Sequence, residues 1–149
     1  MDKIFSELLK NRIFLITLVA WVVAQSLKVT LGVIRQRKFD FRWFIGTGGM
    51  PSSHAAGASC LATAIGLNYG FDSVYFALAA SFAIVVMFDA QGVRRATGKQ
   101  ARILNKITED IYWKGKVGED RLRELIGHTP FEVIMGFLLG VFIAVIAQR

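Results

Sequence analysis

The sequence predicts an all-α fold, a polytopic membrane bundle of about four transmembrane helices with one interfacial helical insertion. Three observations carry this expectation. Hydrophobic residues make up 54% of the 149-residue chain and its mean hydropathy is positive, a composition that belongs to membrane proteins rather than soluble domains. The apolar residues gather into four stretches, near 13–34, 53–68, 73–88 and 130–147. The basic residues behind the formal charge of +7 fall mostly between those stretches, where membrane topology and anionic headgroups account for them. No RNA- or DNA-binding motif accompanies them, so no nucleic-acid partner is expected. The single cysteine, Cys60, lies within an apolar stretch, which excludes a disulfide framework and a cysteine-based metal site. One domain, residues 1–149, is expected.

Residues 1–11 alternate charged and apolar side chains (Ile4, Phe5, Leu8, Leu9), the pattern of a short amphipathic helix at the interface. Lys3, Lys10 and Arg12 precede an apolar run as in a signal peptide, but Asp2 and Glu7 interrupt the basic region and cutting after Ala24 would remove most of the first span, so no cleavage is expected. From about Ile13 to Ile34 the chain is apolar except on one stripe, where Gln25, Lys28, Gly32 and Arg35 fall within roughly 80° of one another at 100° per residue. That stripe cannot face lipid. A lysine near the bilayer centre costs about 2.5 to 3.5 kcal/mol, so Lys28 either snorkels from the inner end of the helix or points into a polar cavity.

Residues 35–47 (Arg35, Arg37, Lys38, Arg42, Trp43, Phe44 among them) read as a basic, aromatic loop at headgroup level. A second helix, about Ser53 to Asn68, carries Ala58, Ala62 and Gly66 at every fourth position, which allows close helix contact within lipid. Tyr69 to Asp72 forms a tight turn and Ser73 to Phe88 a third span. Asp89 ends that span and is followed by Gly92, Arg94, Arg95, Gly98, Lys99 and Arg102. Residues 101–113 place Ile103, Leu104, Ile107 and Ile111 at helical spacing and end on Tyr112 and Trp113, an interfacial helix too short and too charged to span. It belongs to an interfacial or cytoplasmic segment, 89–129, whose polar Lys114 to Asp120 is expected to be its most mobile part. The fourth span follows Gly127-His128-Thr129-Pro130 and ends near Ala147, with Gly136 and Gly140 in GxxxG spacing. Residues 35–52 contain 4 Lys and Arg, 69–72 none and 89–129 contain 9, so the first and third of these connections are expected in the cytoplasm and both termini outside a bacterial-type plasma membrane.

The stretch Gly48-Gly49-Met50-Pro51-Ser52-Ser53-His54 has the makings of a phosphate site. Glycines let backbone N–H groups approach an anion, proline fixes the turn, and Ser52 or Ser53 can cap a helix whose free N–H groups and dipole favour negative charge. An ordinary glycine-proline turn and serine cap would read the same way. The weight comes from the second histidine. His54 and His128 are the two histidines of the chain, each at the start of a membrane helix, and an up-and-down bundle brings the start of helix 2, the end of helix 3 and the start of helix 4 to one face. In-line displacement at phosphorus needs an attacking group, a proton donor for the departing oxygen, and cations for the equatorial oxygens. His128, His54, Lys28, Arg94 and Arg95 form that set. Glu132, four residues after His128, can hold the second ring N–H of a nucleophilic imidazole, although Thr129-Pro130-Phe131-Glu132 also reads as a capping box with proline at the first helical position. Asp89 either orients an arginine or a headgroup, or pairs with Arg94 or Arg95.

Pro51-Ser52-Ser53-His54, Asp89-Ala-Gln-Gly-Val-Arg94-Arg95 and Gly127-His128-Thr-Pro-Phe-Glu132-Val resemble the divergent branch of the type 2 phosphatidic acid phosphatase superfamily, also described as acid phosphatase/vanadium-dependent haloperoxidase-related proteins. The resemblance covers nearly the whole chain. It implies that His128 is the nucleophile that becomes phosphohistidine, Glu132 its orienting carboxylate and His54 the acid for the leaving group. It implies further that Lys28 and Arg35, at the first motif's spacing, bind phosphate, with Arg94 and Arg95 standing in for the Ser-Arg pair; Gly49, Ser52, Ser53 and Asp89, read from the residues themselves, complete the expected phosphate site. Gln36 stands where that motif has proline, Ser53 where the second has glycine and Glu132 where the third has aspartate. No Ser-Arg pair precedes His128 at the family spacing. Four spans against the usual six imply either a minimal site or one completed by a second protomer, a homo-oligomer.

The expected function is therefore hydrolysis of a lipid phosphate or diphosphate within the bilayer, on the cytoplasmic face, with no metal and no cofactor. The alternative is a non-catalytic lipid- or anion-binding membrane module that keeps the phosphate pocket. Ranked last is a metal-dependent lipid transferase using Asp89 with Asp110 or Glu109, whose acids lack a dense ligand spacing.

Overall fold

The computed structural model describes residues 2–37, 49–112 and 127–148, and at residues 2, 35, 36, 93–95 and 109–112 it describes the backbone alone. Among the described residues six helices run in order: α1 Asp2–Lys10, α2 Arg12–Gln36, α3 Ser53–Tyr69, α4 Val74–Gln91, α5 Val93–Tyr112 and α6 Pro130–Ala147. No strand occurs among the described residues. Short polar side chains start four of them. Asn11 accepts from the Phe14 N–H at 3.1 Å, Ser73 from Phe76 at 3.1 Å, Ser52 from Ala55 at 3.4 Å and Thr129 from Glu132 at 3.3 Å, each satisfying a donor that the first helical turn leaves open.

The core is built from alanine. α3 runs through the middle and packs against α2, α4 and α6. On one side Cys60 and Ala64 meet Ala20 of α2 and Ala144 of α6. On another, Ala58 and Ala62 meet Ala79 and Ala83 of α4. Small side chains all around α3 let three helices approach it at once, which is how helices associate where lipid removes most of the hydrophobic drive. The large apolar side chains face outward instead: Phe82, Val85 and Phe88 on α4, and Ile134, Leu138 and Phe142 on α6, are exposed. Such an outward face belongs in hydrocarbon.

The chain is thus a helical membrane protein, as its composition predicts. Three helical stretches among the described residues are long and apolar enough to cross a membrane: Arg12–Ile34, Val74–Thr108 and Pro130–Ala147. α3 has 17 residues, about 25 Å of helix at 1.5 Å per residue, and lies sheathed by the other three. The helical insertion is longer than its apolar spacing implies. α5 begins at Val93 rather than Ala101, and α4 runs past Asp89 to Gln91, so only Gly92 separates them. The cluster of cations there reads as loop in a hydropathy pattern, yet arginine and lysine are good helix formers. At the same end of the bundle, Arg35 and Gln36 continue α2, and Arg37, with φ 51°, closes it by donating its N–H to Val33. Residues 38–48 and 113–126, including Lys38, Arg42, Trp43, Phe44 and the Lys114–Asp120 segment, lie outside the described residues.

The tightest contact is between α3 and α6. A Cβ added at Gly136 would collide with the Ser52 carbonyl oxygen, and one at Gly140 with the Ala56 carbonyl oxygen and the Ser59 hydroxyl. At Gly57, a Cβ would meet only the Trp21 Cβ at 3.9 Å. The two kinds of glycine should respond oppositely to alanine. Gly140→Ala forces backbone apart and should lower the thermal unfolding midpoint in detergent, at a cost of about 1 to 3 kcal/mol. Gly57→Ala removes a poor helix former without a clash and should leave the midpoint unchanged or raise it, by up to about 1 kcal/mol in stability.

Candidate functional site

Three ties hold the ends of α3, α4 and α6 together. The Ser52 N–H donates to the Glu132 carbonyl at 3.0 Å and the His128 N–H to the Ala90 carbonyl at 2.9 Å. About two turns further along α3, the Ser59 hydroxyl donates to the Phe137 carbonyl at 3.0 Å. The first two join residues that would otherwise leave buried backbone groups unpaired. They also fix the positions of the two histidines.

His128 is 3% exposed. Gly127 before it has φ +118°, a conformation that side chains disfavour, and this turn delivers the ring inward. Its Nδ1 lies 3.3 Å from Glu132 Oε2. The same oxygen accepts the Thr129 N–H at 2.9 Å, while Thr129 Oγ1 accepts the Glu132 N–H. The capping box and the histidine–carboxylate pair therefore coexist on one side chain. A carboxylate beside Nδ1 favours the neutral tautomer with its proton there, which makes Nε2 the nitrogen that carries the lone pair. The His54 ring, in the first turn of α3, is 6.1 Å from it between centroids, at 62°.

Lys28 comes from the facing stripe of α2. It is 8% exposed, and Gln25 beside it is buried too, so this part of the stripe faces the bundle interior. The lysine stem lies against Gly49, where an added Cβ would be 3.2 Å from both Cγ and Cδ; Gly49 itself has φ +89°. A side chain is excluded there twice, by conformation and by the lysine. The Lys28 charge acts on both Glu132 and His128. Ser52 and Ser53 are buried in the same turn, after a cis Met50–Pro51 peptide.

Burial pushes the His128 imidazole below its ordinary value of 6.5, and the nearby Lys28 charge adds to this, while hydrogen bonding and charge attraction to Glu132 and a backbone hydrogen bond to Gly49 oppose it. Burial wins.

The structure thus brings together Lys28, Gly49, Ser52, Ser53, His54, His128 and Glu132. Asp89, half-buried, adjoins Ala90 at the end of α4. The side chains of Arg35, Arg94, Arg95, Glu109 and Asp110 lie outside the described residues; their backbones belong to the last turn of α2, the first turn of α5 and the last turn of α5. Among the described residues no group of three or more His, Cys, Asp or Glu could hold a metal ion. Side-chain patterns could not announce the Ala90 carbonyl that anchors His128 or the Glu132 carbonyl that anchors Ser52. Gly127 before His128 was the one available signal.

Residues 9–143 match the family described as the Divergent PAP2 family. The chain is also similar to an uncharacterized membrane protein, YuiD, of Bacillus subtilis (strain 168), with 41% identity over 151 residues covering 94% of this chain and 96% of that one. No solved structure matches.

The depressed His128 value has a consequence for stability. Unfolded, the ring titrates near 6.5; folded, it titrates lower, so between the two values the unfolded chain binds more protons. The contribution of this group is full above pH 6.5 and falls as pH drops through 6.5 toward the folded value. Wild type should therefore lose thermal stability between pH 7 and pH 5 more steeply than His128→Gln, which has no proton to gain. Parallel melts in detergent at each pH check this.

Proposed function

Because this chain belongs to the divergent PAP2 family, we propose that it is an integral-membrane phosphatase, independent of metal, that hydrolyses a lipid phosphate or diphosphate through a phosphohistidine at His128. The observation that carries the proposal is the buried His128 ring, held at Nδ1 by Glu132 with His54 beside it. One phosphoryl group can touch both rings. Nε2 of His128 attacks phosphorus, the bond to the lipid oxygen breaks, and His54 gives that oxygen a proton. A water then gives its proton to His54, attacks the phosphohistidine, and releases inorganic phosphate. Glu132 keeps Nδ1–H in place and offsets the positive charge that the ring gains on phosphorylation.

The phosphoryl oxygens need positive neighbours, and the start of α3, the start of α6 and Lys28 converge on this end of the bundle. Arg35 takes the same role from the spacing of the first family motif, and Arg94 and Arg95 stand in for the missing Ser-Arg pair. That set of cations and helix starts is the reason for proposing chemistry without a metal. The cation-rich connections 35–52 and 89–129 support a cytoplasmic position for the site.

A second reading rests on one specific feature. No Ser-Arg pair stands before His128, so a module that binds a lipid phosphate and does not turn it over has the same pocket. Phosphate-dependent thermal stabilisation without product release would establish that reading.

Phosphate release by purified protein in detergent, with chelator present, tests the first. On a panel of lipid phosphates His128→Ala should lower kcat by roughly three orders of magnitude or more, and His54→Ala by about 10²- to 10⁴-fold. Turnover that survives His128→Ala excludes the phosphohistidine. A separate measurement isolates the lysine: Lys28→Met keeps the stem on Gly49 and removes the charge. It should weaken vanadate or phosphate inhibition by about 10- to 100-fold, the worth of one charged hydrogen bond.

A further inference from the structure

Beside the polar site, an apolar cleft of about 220 Å³ opens between α2 and α6, lined by Leu27, Leu31, Met50, Pro51, Met135 and Leu139. Its position follows from the site. Leu27 and Leu31 flank Lys28 at i−1 and i+3, Met135 is three residues after Glu132, and Met50 and Pro51 continue from Gly49, which rests on the lysine stem. The cleft therefore begins where the charged groups end. Leu27, Leu31 and Met135 are exposed on the outer surface of the bundle, so it is open on the side that faces lipid.

We propose that this cleft seats one hydrocarbon chain of the lipid whose phosphate lies at Lys28 and the histidines, and that Leu31 and Met135 set which chains fit. The inference rests on the phosphate-site reading above and adds the direction of entry and the class of substrate: an amphiphile whose chain starts within a few bonds of its phosphate. Size selects the occupant. An apolar cavity of roughly 150 Å³ holds a benzene molecule, so about 220 Å³ takes a short run of chain carbons. An α-helix of about 10 Å diameter from a second copy does not enter it. Charge complementarity selects the same ligand, since Lys28 adjoins Leu27 in α2 and rests on Gly49 next to Met50, while the walls themselves are uncharged and, apart from Thr30, apolar. Two methionines, flexible and polarizable, let the walls follow chains of different shape.

The test uses the full-length protein in phosphatidylcholine nanodiscs and a decyl phosphate carrying a diazirine at mid-chain. Photolysis should label peptides containing Leu27 to Leu31 and Met135 to Leu139. Leu31→Trp combined with Met135→Trp, which fills the cleft from exposed positions, should cut that labelling at least fivefold. It should also raise KM for decyl phosphate at least fivefold more than KM for phenyl phosphate, which has no chain. Label spread equally over Phe82, Val85 and Phe88 on the outer face of α4 overturns the proposal. So does a wild-type dimer that the paired tryptophans dissociate, with no label in the cleft, which would assign the cleft to a second copy. Wild type that hydrolyses neither ester defeats the phosphatase reading instead, and the labelling pattern then decides the cleft alone.

Discussion

The contact on which the site depends is the backbone approach of α6 to α3 at Gly136 and Gly140. A Cβ at either glycine would run into main-chain atoms of the facing helix, so the two axes are as close as side-chain-free packing permits. At that spacing the Glu132 carbonyl reaches the Ser52 N–H and the Phe137 carbonyl reaches the Ser59 hydroxyl. Helix register is thereby set at two heights. With Ser52 pinned to Glu132, the ring two residues after the one and the ring four residues before the other have to face each other. The 6.1 Å between His54 and His128 is a result of packing well inside the bundle, and the alanine layers on the other sides of α3 hold that packing from behind.

The same economy shapes Glu132. Its backbone N–H is capped by Thr129, its carbonyl takes the Ser52 N–H, and its Oε2 faces both the Thr129 N–H and His128 Nδ1. Helix start, interhelical tie and ring orientation are therefore one structure. Because Oε2 accepts from a main-chain N–H at 2.9 Å, its position is set by the helix start, and the imidazole at 3.3 Å adapts to it. A longer contact there is the geometry expected when one oxygen serves two donors from fixed directions.

The bundle was legible in the sequence because its signals are local. Apolar length marked the outer helices, the four-residue recurrence of Ala58, Ala62 and Gly66 marked α3 as interior, and Ser52 and Thr129 marked helix starts. The polar stripe of α2 also read correctly, since Gln25 and Lys28 are buried. Gly66 shows where such reading stops. Its spacing marks a helix contact, yet the atoms nearest an added Cβ belong to the Phe71 ring in the following turn. α5 was shortened because charge reads as loop, although a helix can carry its cations on one face. For the site, residue types and spacing pointed to His54, His128, Glu132 and Lys28 together. The ties that place them run through backbone atoms of Ala90 and Glu132, and main-chain groups are identical in every residue. The cleft between α2 and α6 was also beyond reach, because Leu27, Leu31 and Met135 have nothing in their local pattern to distinguish them from any lipid-facing side chain.

On the proposed chemistry, burial acts on His128 in two ways that favour the same outcome. In the resting site it disfavours the imidazolium, so the ring is neutral at neutral pH and no separate base is needed to free Nε2. During attack the ring gains positive charge in the same poorly screened surroundings, where the Glu132 carboxylate acts on it more strongly than in water. A neutral ring gains little from that carboxylate and a charged one gains much. Glu132 thus stabilises the transition state more than the ground state, the condition for an interaction to raise kcat rather than only tighten binding. Lys28 works in the complementary sense. Its charge raises the cost of a protonated ring before substrate arrives, and with a phosphoryl group present that charge is directed at the oxygens instead. The lysine that disfavours a proton on His128 is therefore the group that favours a phosphoryl there.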